Sequence, residues 1–229
     1  MENQKGVKMK TENRPIEKFD RIKLKDFGTI ILTQGEQEAL VVEADQDLLP
    51  DLITEVRNST LALGLDEDWI GRIGKLISSV FSSSEYQVTY TITCTDLKEV
   101  QINGRGELDC ESLSSDSLKL RISGMGEMQF KHLDTDQLDV QISGRGEFSA
   151  AGRADHQQVR ISGSGEYQTP NLVGNSMRIV ISGQGNATVR VAEDLDITIS
   201  GLGQVNYYGR PKLHQVISGL GKSKRLNGN

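Results

Sequence analysis

Only two cysteines, Cys94 and Cys110, occur in the 229 residues, which argues against a small fold stapled by disulfides. They could pair with each other. Both sit in alternating, strand-like sequence, however, and buried free thiols suit that setting equally well. Aromatic residues make up 5% of the chain, so the ring platforms that commonly grip sugars have little to be built from. The histidines are three, His132, His156 and His214, and they do not share a sequence phase that would gather them on a metal. No excess of bases is present: the net charge is −6 and the pI near 5.2, which argues against a nucleic-acid partner or an anionic membrane surface. Long apolar runs are absent too, so no transmembrane helix is expected. No secretory leader is expected within the first residues.

Glycine, by contrast, is plentiful at 24 residues, and it is arranged. Seven times the chain writes Ile-Ser/Asn-Gly-x-Gly, beginning at Ile102, Ile122, Ile142, Ile161, Ile181, Ile199 and Ile217, with spacings of 20, 20, 19, 20, 18 and 18. A fixed period in this range marks one supersecondary unit that buries its apolar face only by stacking on its neighbours. Before most copies apolar residues alternate, as in Leu118-Leu120-Ile122 and Leu195-Ile197-Ile199, the period of a strand with one buried face. After the second glycine the alternation resumes, and a variable corner follows that often carries Leu113, Leu133 or Leu172. Each unit therefore reads as strand, Ser-Gly-x-Gly corner, second strand and variable corner. Glycine at two fixed places answers a need for positive φ or for close backbone approach. The serine before it suits a side-chain-to-backbone turn bond.

Units this short leave no room for a crossover helix. The expected fold is all-β: a right-handed parallel β-helix of about seven coils, with a β-prism or sandwich of repeated hairpins as the competing architecture. Residues 1–14 are polar and expected to be disordered. Residues 15–95 form an N-terminal β region with strands over 19–24, 28–33, 39–44 and 86–94, a turn at Leu48–Asp51 and a hairpin around Asn58-Ser59. Within it, Trp69, Ile70, Ile73, Leu76, Ile77, Val80 and Phe81 recur at helical period, which predicts an inserted amphipathic helix over 66–82 that caps the solenoid or flanks its sheet. The β-helix proper covers 96–224, and 225–229 is a tail.

These pieces resemble a known family. Phe19-Asp20, Ile30-x-Leu32-Thr33-Gln34-Gly35, Val42-Glu43-Ala44-Asp45 and Asp47-Leu48-Leu49-Pro50, followed by the serial Ile-Ser-Gly-x-Gly-Glu and by Gly209-x-Pro211, are similar to the auto-transporter adhesin family with a head GIN domain. The resemblance runs from about residue 18 to residue 224. It implies a right-handed β-helix and a secreted or lipid-anchored, extracytoplasmic protein of the Bacteroidetes type, with an adhesive role. Two departures stand out: the 66–82 insertion replaces a short link, and the residue after the second glycine, often Asp in the family, is Glu here.

That glutamate is the candidate binding feature. Glu107, Glu127, Glu147 and Glu166 are expected to stack as a ladder on one edge, continued by Asn186, Gln204 and Lys222. Arg105 and Arg145 are placed to offset the repulsion between stacked like charges. No cofactor is expected, with calcium on the ladder as the alternative. Catalysis lacks its parts: coil lengths vary by two residues, so no loops wall a cleft. The repeated serines are turn residues, and Asp134, Asp136 and Asp139 beside His132 read as a polar corner. The outward pairs Lys119/Arg121, Asp139/Gln141, Arg178/Val180 and Asp196/Thr198 describe a solvated face. Of Tyr207 and Tyr208, the first continues the inward phase and only the second points out. The expected function is non-enzymatic surface binding to a glycan or protein ligand. A scaffolding module acting through a homo-oligomer or an envelope protein is the alternative, and a carbohydrate-active β-helix enzyme the third.

Overall fold

A computed structural model describes residues 8–66 and 87–227 of the chain. Sixteen strands form one continuous sheet that winds upon itself. Eight shorter ones come first: β1 (Met9–Arg14), β2 (Arg21–Leu24), β3 (Phe27–Gln34), β4 (Ala39–Asp45), β5 (Leu52–Arg57), β6 (Thr60–Leu65), β7 (Val88–Cys94) and β8 (Glu99–Ile102). Five long ones follow, β9 (Arg105–Ile122), β10 (Met125–Ile142), β11 (Arg145–Ile161), β12 (Ser164–Ile181) and β13 (Gln184–Ile199). β14 (Leu202–Tyr208), β15 (Lys212–Ile217) and β16 (Leu220–Arg225) complete the stack. Apart from Asp66, the helix expected over 66–82 lies outside the described residues.

Each long strand is one whole coil, paired in parallel and in register with the coil before and after. The fold is thus the parallel β-helix that the repeat predicts. Its seven corners enclose six coils rather than seven, because a corner closes one coil as it opens the next. Burial alternates strictly along a coil and breaks at two points, as at Glu111-Ser112 and Asp136-Gln137. There the chain bends, giving two long sides and a short third one. Side A runs into the Ile-Ser-Gly corner and side B leaves it.

The same two sides continue into the N-terminal region, so no boundary separates it from the repeats. On side A, β8 is followed by β2, β6 and β5; on side B, β3 is followed by β7, β4 and β1. Only β5/β6, β4/β7 and β1/β4 are antiparallel. The β5–β6 hairpin turns on Asn58 and Ser59 with φ of 50° and 60°, the left-handed pair of a tight type I′ turn. Pro50 closes a 3-10 turn over Leu49–Asp51. Residues 9–14, expected to be disordered, are ordered as β1. Their composition is polar because β1 is the last strand and its inward side chains lie over the open end of the core.

Both ends of the solenoid are finished this way. Lys10, Glu12 and Arg14 of β1 stand opposite the core residues Ala44, Val42 and Leu40. The Arg14 guanidinium crosses to the other side, donating to the Leu49 and Leu52 carbonyls at 2.7 and 2.5 Å. At the far end Gln215 stands opposite Ile197 and Ser223 opposite Val205, and the Ser223 hydroxyl donates to Gln215 Oε1 at 2.5 Å. Inward-pointing polar groups on a terminal strand oppose the strand-to-strand extension that an open β-edge otherwise invites.

The repeated glycines act through crowding, not through φ. Among the described residues glycine takes positive φ only at Gly28, Gly152 and Gly209, none of them in the motif. The corner continues the sheet ladder: the Ser143 N–H donates to Ile122 O and the Arg145 N–H to Gly124 O, both at 2.9 Å. A Cβ on Gly144 would overlap the Gly124 carbonyl oxygen of the coil beneath. The second glycine clears room for isoleucine, since a Cβ on Gly146 would lie 2.8 Å from Ile122 Cγ2. The motif is therefore read between coils, with the isoleucine of one coil seated over the second glycine of the next. The expected serine turn bond is absent: the motif serines are exposed, and the corner is held by backbone bonds alone.

Candidate polar surface and its relatives

The glutamate column forms as expected on side B. Glu107, Glu127, Glu147 and Glu166 are direct register partners, followed by Asn186, Gln204 and Lys222. Towards the N-terminus the column continues through Thr29, Thr89 and Glu43. Partial desolvation raises the Glu147 pKa above the ordinary carboxylate value, and the charges of Glu127 and Glu166 on either side raise it further. Arg105 and Arg145, expected to offset the ladder, form no ion pair with it among the described residues. Nor do three carboxylate, imidazole or thiol groups of the described residues converge in a metal-holding arrangement.

A raised carboxylate pKa means that folding disfavours the charged form. The penalty is present at neutral pH and is relieved as pH falls through the raised value towards the unfolded one. Glu147→Gln is therefore expected to stabilise the protein slightly at pH 7, by no more than about 0.5 kcal/mol for so exposed a site. The gain should shrink at pH 4 and in high salt. Thermal melts at both pH values check it, and a loss of stability at pH 7 would show that the ladder carries a favourable contact.

Side A carries a second, more varied surface. Two outward columns run across five coils in register: Ser117, Gln137, His156, Ser176 and Asp194, and beside them Lys119, Asp139, Gln158, Arg178 and Asp196. Together they line a shallow trough of about 370 Å³. Five strands spaced about 4.8 Å apart give it a length of roughly 19 Å between the outer ones. His156 Nδ1 lies 2.8 Å from Ser176 Oγ, and Arg160 pairs with Asp139 at 3.7 Å. This serine–histidine pair has no carboxylate behind the ring. The column neighbour on the far side of His156 is Gln137, whereas Asp194 adjoins Ser176. No phenylalanine, tyrosine or tryptophan lines the trough.

The column at 117, 137, 156, 176 and 194 escapes a reading centred on the glycines. Its signal is present nonetheless, because each member lies five residues before a motif isoleucine. The other polar groups singled out in the sequence are structural. Arg153 ties the corner acids together, reaching Asp134 at 2.8 Å, Asp136 at 3.2 Å and Asp155 at 2.5 Å. His132 stands apart from His156 and His214, opposite Ser112. Tyr207 packs on the core, and the Arg190 guanidinium lies over the ring of Tyr208, 4.8 Å from its centroid. Cys94 and Cys110 are free and buried, their thiols pushed up to about 12 and about 11, chiefly by burial.

A family model described as "Putative auto-transporter adhesin, head GIN domain" matches residues 18–211. The chain belongs to that family. Among solved structures, a putative adhesin from Bacteroides fragilis superposes on this head GIN chain with a TM-score of 0.81 at 23% identity, covering 96% of this chain and 97% of that one. A putative lipid binding protein from Parabacteroides distasonis gives 0.71 at 19% identity, covering 97% and 98%. A putative adhesin from Parabacteroides merdae gives 0.71 at 20% identity over the same shares. At these identities the likeness establishes the fold. A comparison with curated proteins finds no match. Among the described residues no helix is long and apolar enough to cross a membrane.

Proposed function

We propose that this head GIN protein is a non-enzymatic, extracytoplasmic surface-binding protein of the adhesin kind, and that side A is its binding face. The observation that supports the reading is the trough. It is an extended strip of hydrogen-bonding groups of both signs, laid on a rigid sheet and crossing five coils. Such a strip suits an extended polar polymer, a glycan or a peptide segment, recognised by hydrogen bonds and charge rather than by ring stacking. The Ser176–His156 pair has no carboxylate behind the ring to orient it, which supports a binding reading over a nucleophilic hydrolase.

The test is binding of the purified protein to an array of glycans and matrix proteins, with calcium and with chelator. Saturable binding to one ligand class is expected, with a loss of about 10-fold or more on Arg178→Ala, the scale of a charged group in a polar interface. A blank array in both conditions would overturn the reading, as would a ligand indifferent to both Arg178→Ala and His156→Ala. Loss of a hit under chelator would transfer the site to the Glu107–Glu166 column.

A further inference from the structure

The whole-chain charge conceals a split. After Asp196 the chain holds no acidic residue, yet it carries Arg210, Lys212, Lys222, Lys224 and Arg225. Residues 197–229 thus contribute +5 to the net −6, which leaves −11 on residues 1–196. None of the five bases forms an ion pair with a described residue. The same stretch also concentrates exposed apolar side chains. Of the eight large apolar residues exposed among the described ones, Leu202, Val216, Ile217 and Leu220 lie here, with Leu220 81% and Val216 64% exposed.

Their arrangement is directional. Leu202 and Leu220 are register partners in the outward position between the two glycines of their corners, and Val216 occupies the last outward position before the final corner. The last corner therefore presents an apolar ridge. Lys222 and Lys224 continue along side B from that ridge, and Lys212 and His214 stand on side A. The end of the stack itself is closed by the Gln215–Ser223 hydrogen bond, which opposes the addition of another strand.

We propose that this C-terminal pole is a docking surface for an anionic lipid bilayer. The apolar ridge enters the headgroup boundary, and the bases flanking it on both sides meet lipid phosphates. An apolar edge bordered by unpaired lysines has the composition of interfacial membrane anchors, and each base near an anionic surface adds a salt-sensitive attraction. A protein partner with an acidic apolar groove would meet the same residues. The lipid surface is favoured by charge complementarity: the bases flank the apolar side chains on two faces of the pole, and residues 197–229 hold no acid to oppose an anionic plane. Residues 1–196, which carry −11, are repelled by such a surface, so the molecule stands on its C-terminal pole, and the side A trough begins one strand above it, where Asp194 and Asp196 adjoin Lys212 and His214.

Flotation with vesicles tests this. The full chain is expected to float with vesicles of equimolar phosphatidylglycerol and phosphatidylcholine but not with pure phosphatidylcholine, and to be released by high salt. Leu220→Asp and, separately, the pair Lys222→Glu and Lys224→Glu should each cut the bound fraction about 10-fold or more. Met125→Asp, an exposed apolar residue on the body of the solenoid, should leave it unchanged. All these positions are exposed, so unchanged melting temperatures confirm that the variants are folded. Equal binding to both vesicle types, or binding indifferent to Leu220→Asp, would overturn the proposal. So would lipid-free dimerisation abolished by Leu220→Asp, which would make the pole an interface between copies.

Discussion

Gly144→Val is expected to cost about 4 kcal/mol or more, the range reserved for changes with a specific steric cause, and to yield little soluble protein. The cause is the coil beneath. Gly144 crosses directly over the Gly124 carbonyl, which is already engaged by the Arg145 N–H at 2.9 Å, and any Cβ there overlaps that oxygen. The obstacle is backbone, held in place by ladder bonds on both neighbouring coils, so no rotamer change relieves it. The two coils must separate, and in a stack whose stability is nearly a sum of neighbour interfaces, one opened interface divides the molecule. Because the cause is crowding and not φ, Gly144→Ala should fail almost as badly. Met125→Val, at the exposed position between the two glycines of another corner, should stay within about 0.5 kcal/mol of the parent. Denaturant unfolding of the three variants checks this, and an Ala variant as stable as the parent would mean that the corners are not stacked at this distance.

How far the fold was legible follows from where the register is fixed. Near each corner two glycines and an isoleucine hold successive coils in step, so counting from the motif recovers true columns. Glu107, Glu127, Glu147 and Glu166 pair as the spacing predicts, as do the outward residues at 119, 139, 178 and 196. On the far side the coil length varies. The difference is absorbed by register shifts between Phe130 and Leu133, Ser149 and Ala151, and Thr169 and Val173. Gly152, with φ of 120°, takes the place held by Leu133 and Leu172 in the adjoining coils. Columns there cannot be read forward from the glycines. The row containing His156 and Ser176 emerges only when each coil is counted back from its closing isoleucine.

The ends were illegible for a different reason. Repeat logic describes residues that resemble their neighbours, whereas a terminal strand must differ from them to stop the stack. Lys10, Glu12 and Arg14 look like a disordered tail because they alternate polar with polar, and Gln215 and Ser223 look like decay of the repeat. Both sets are inward positions occupied by polar groups, and Glu12 with Arg14 and Gln215 with Ser223 are partners in the structure. The same reasoning separates net charge from charge placement. A chain at −6 reads as indifferent to anionic surfaces until the stack order collects every base after Asp196 at one pole.

Phe148→Ala should be the most damaging truncation in the core, at about 3–5 kcal/mol. Phe148 is fully buried, and its ring lies 5.1 Å from that of Tyr167, nearly parallel, and 6.0 Å from that of Phe130 at a tilt of 45°. Ala150 lies beside Phe130 and Ala187 beyond Tyr167 in the same columns, so of the adjoining side chains only the flexible Met128, the direct column neighbour, can relax into the space, and it fills it in part. Tyr167 cannot swing across either. Its hydroxyl donates to Gln157 Oε1 at 2.9 Å, and Gln157 Nε2 donates to the Ala154 carbonyl at 3.1 Å, a buried polar chain that breaks if the ring moves. Phe148→Leu keeps most of the volume and should cost about 1.5 kcal/mol or less. Tyr167→Phe should cost about 1–3 kcal/mol by leaving Gln157 Oε1 without its donor. Because Tyr167→Phe releases the ring from Gln157 and lets it lean into the space left by Phe148, the Phe148→Ala/Tyr167→Phe double variant should be less destabilised than the sum of its singles. Denaturant unfolding measures all four. A Phe148→Ala cost below about 1 kcal/mol would show that the core closes over the missing ring, and strict additivity with Tyr167→Phe would show that the hydroxyl bond to Gln157 is not what holds the Tyr167 ring in place.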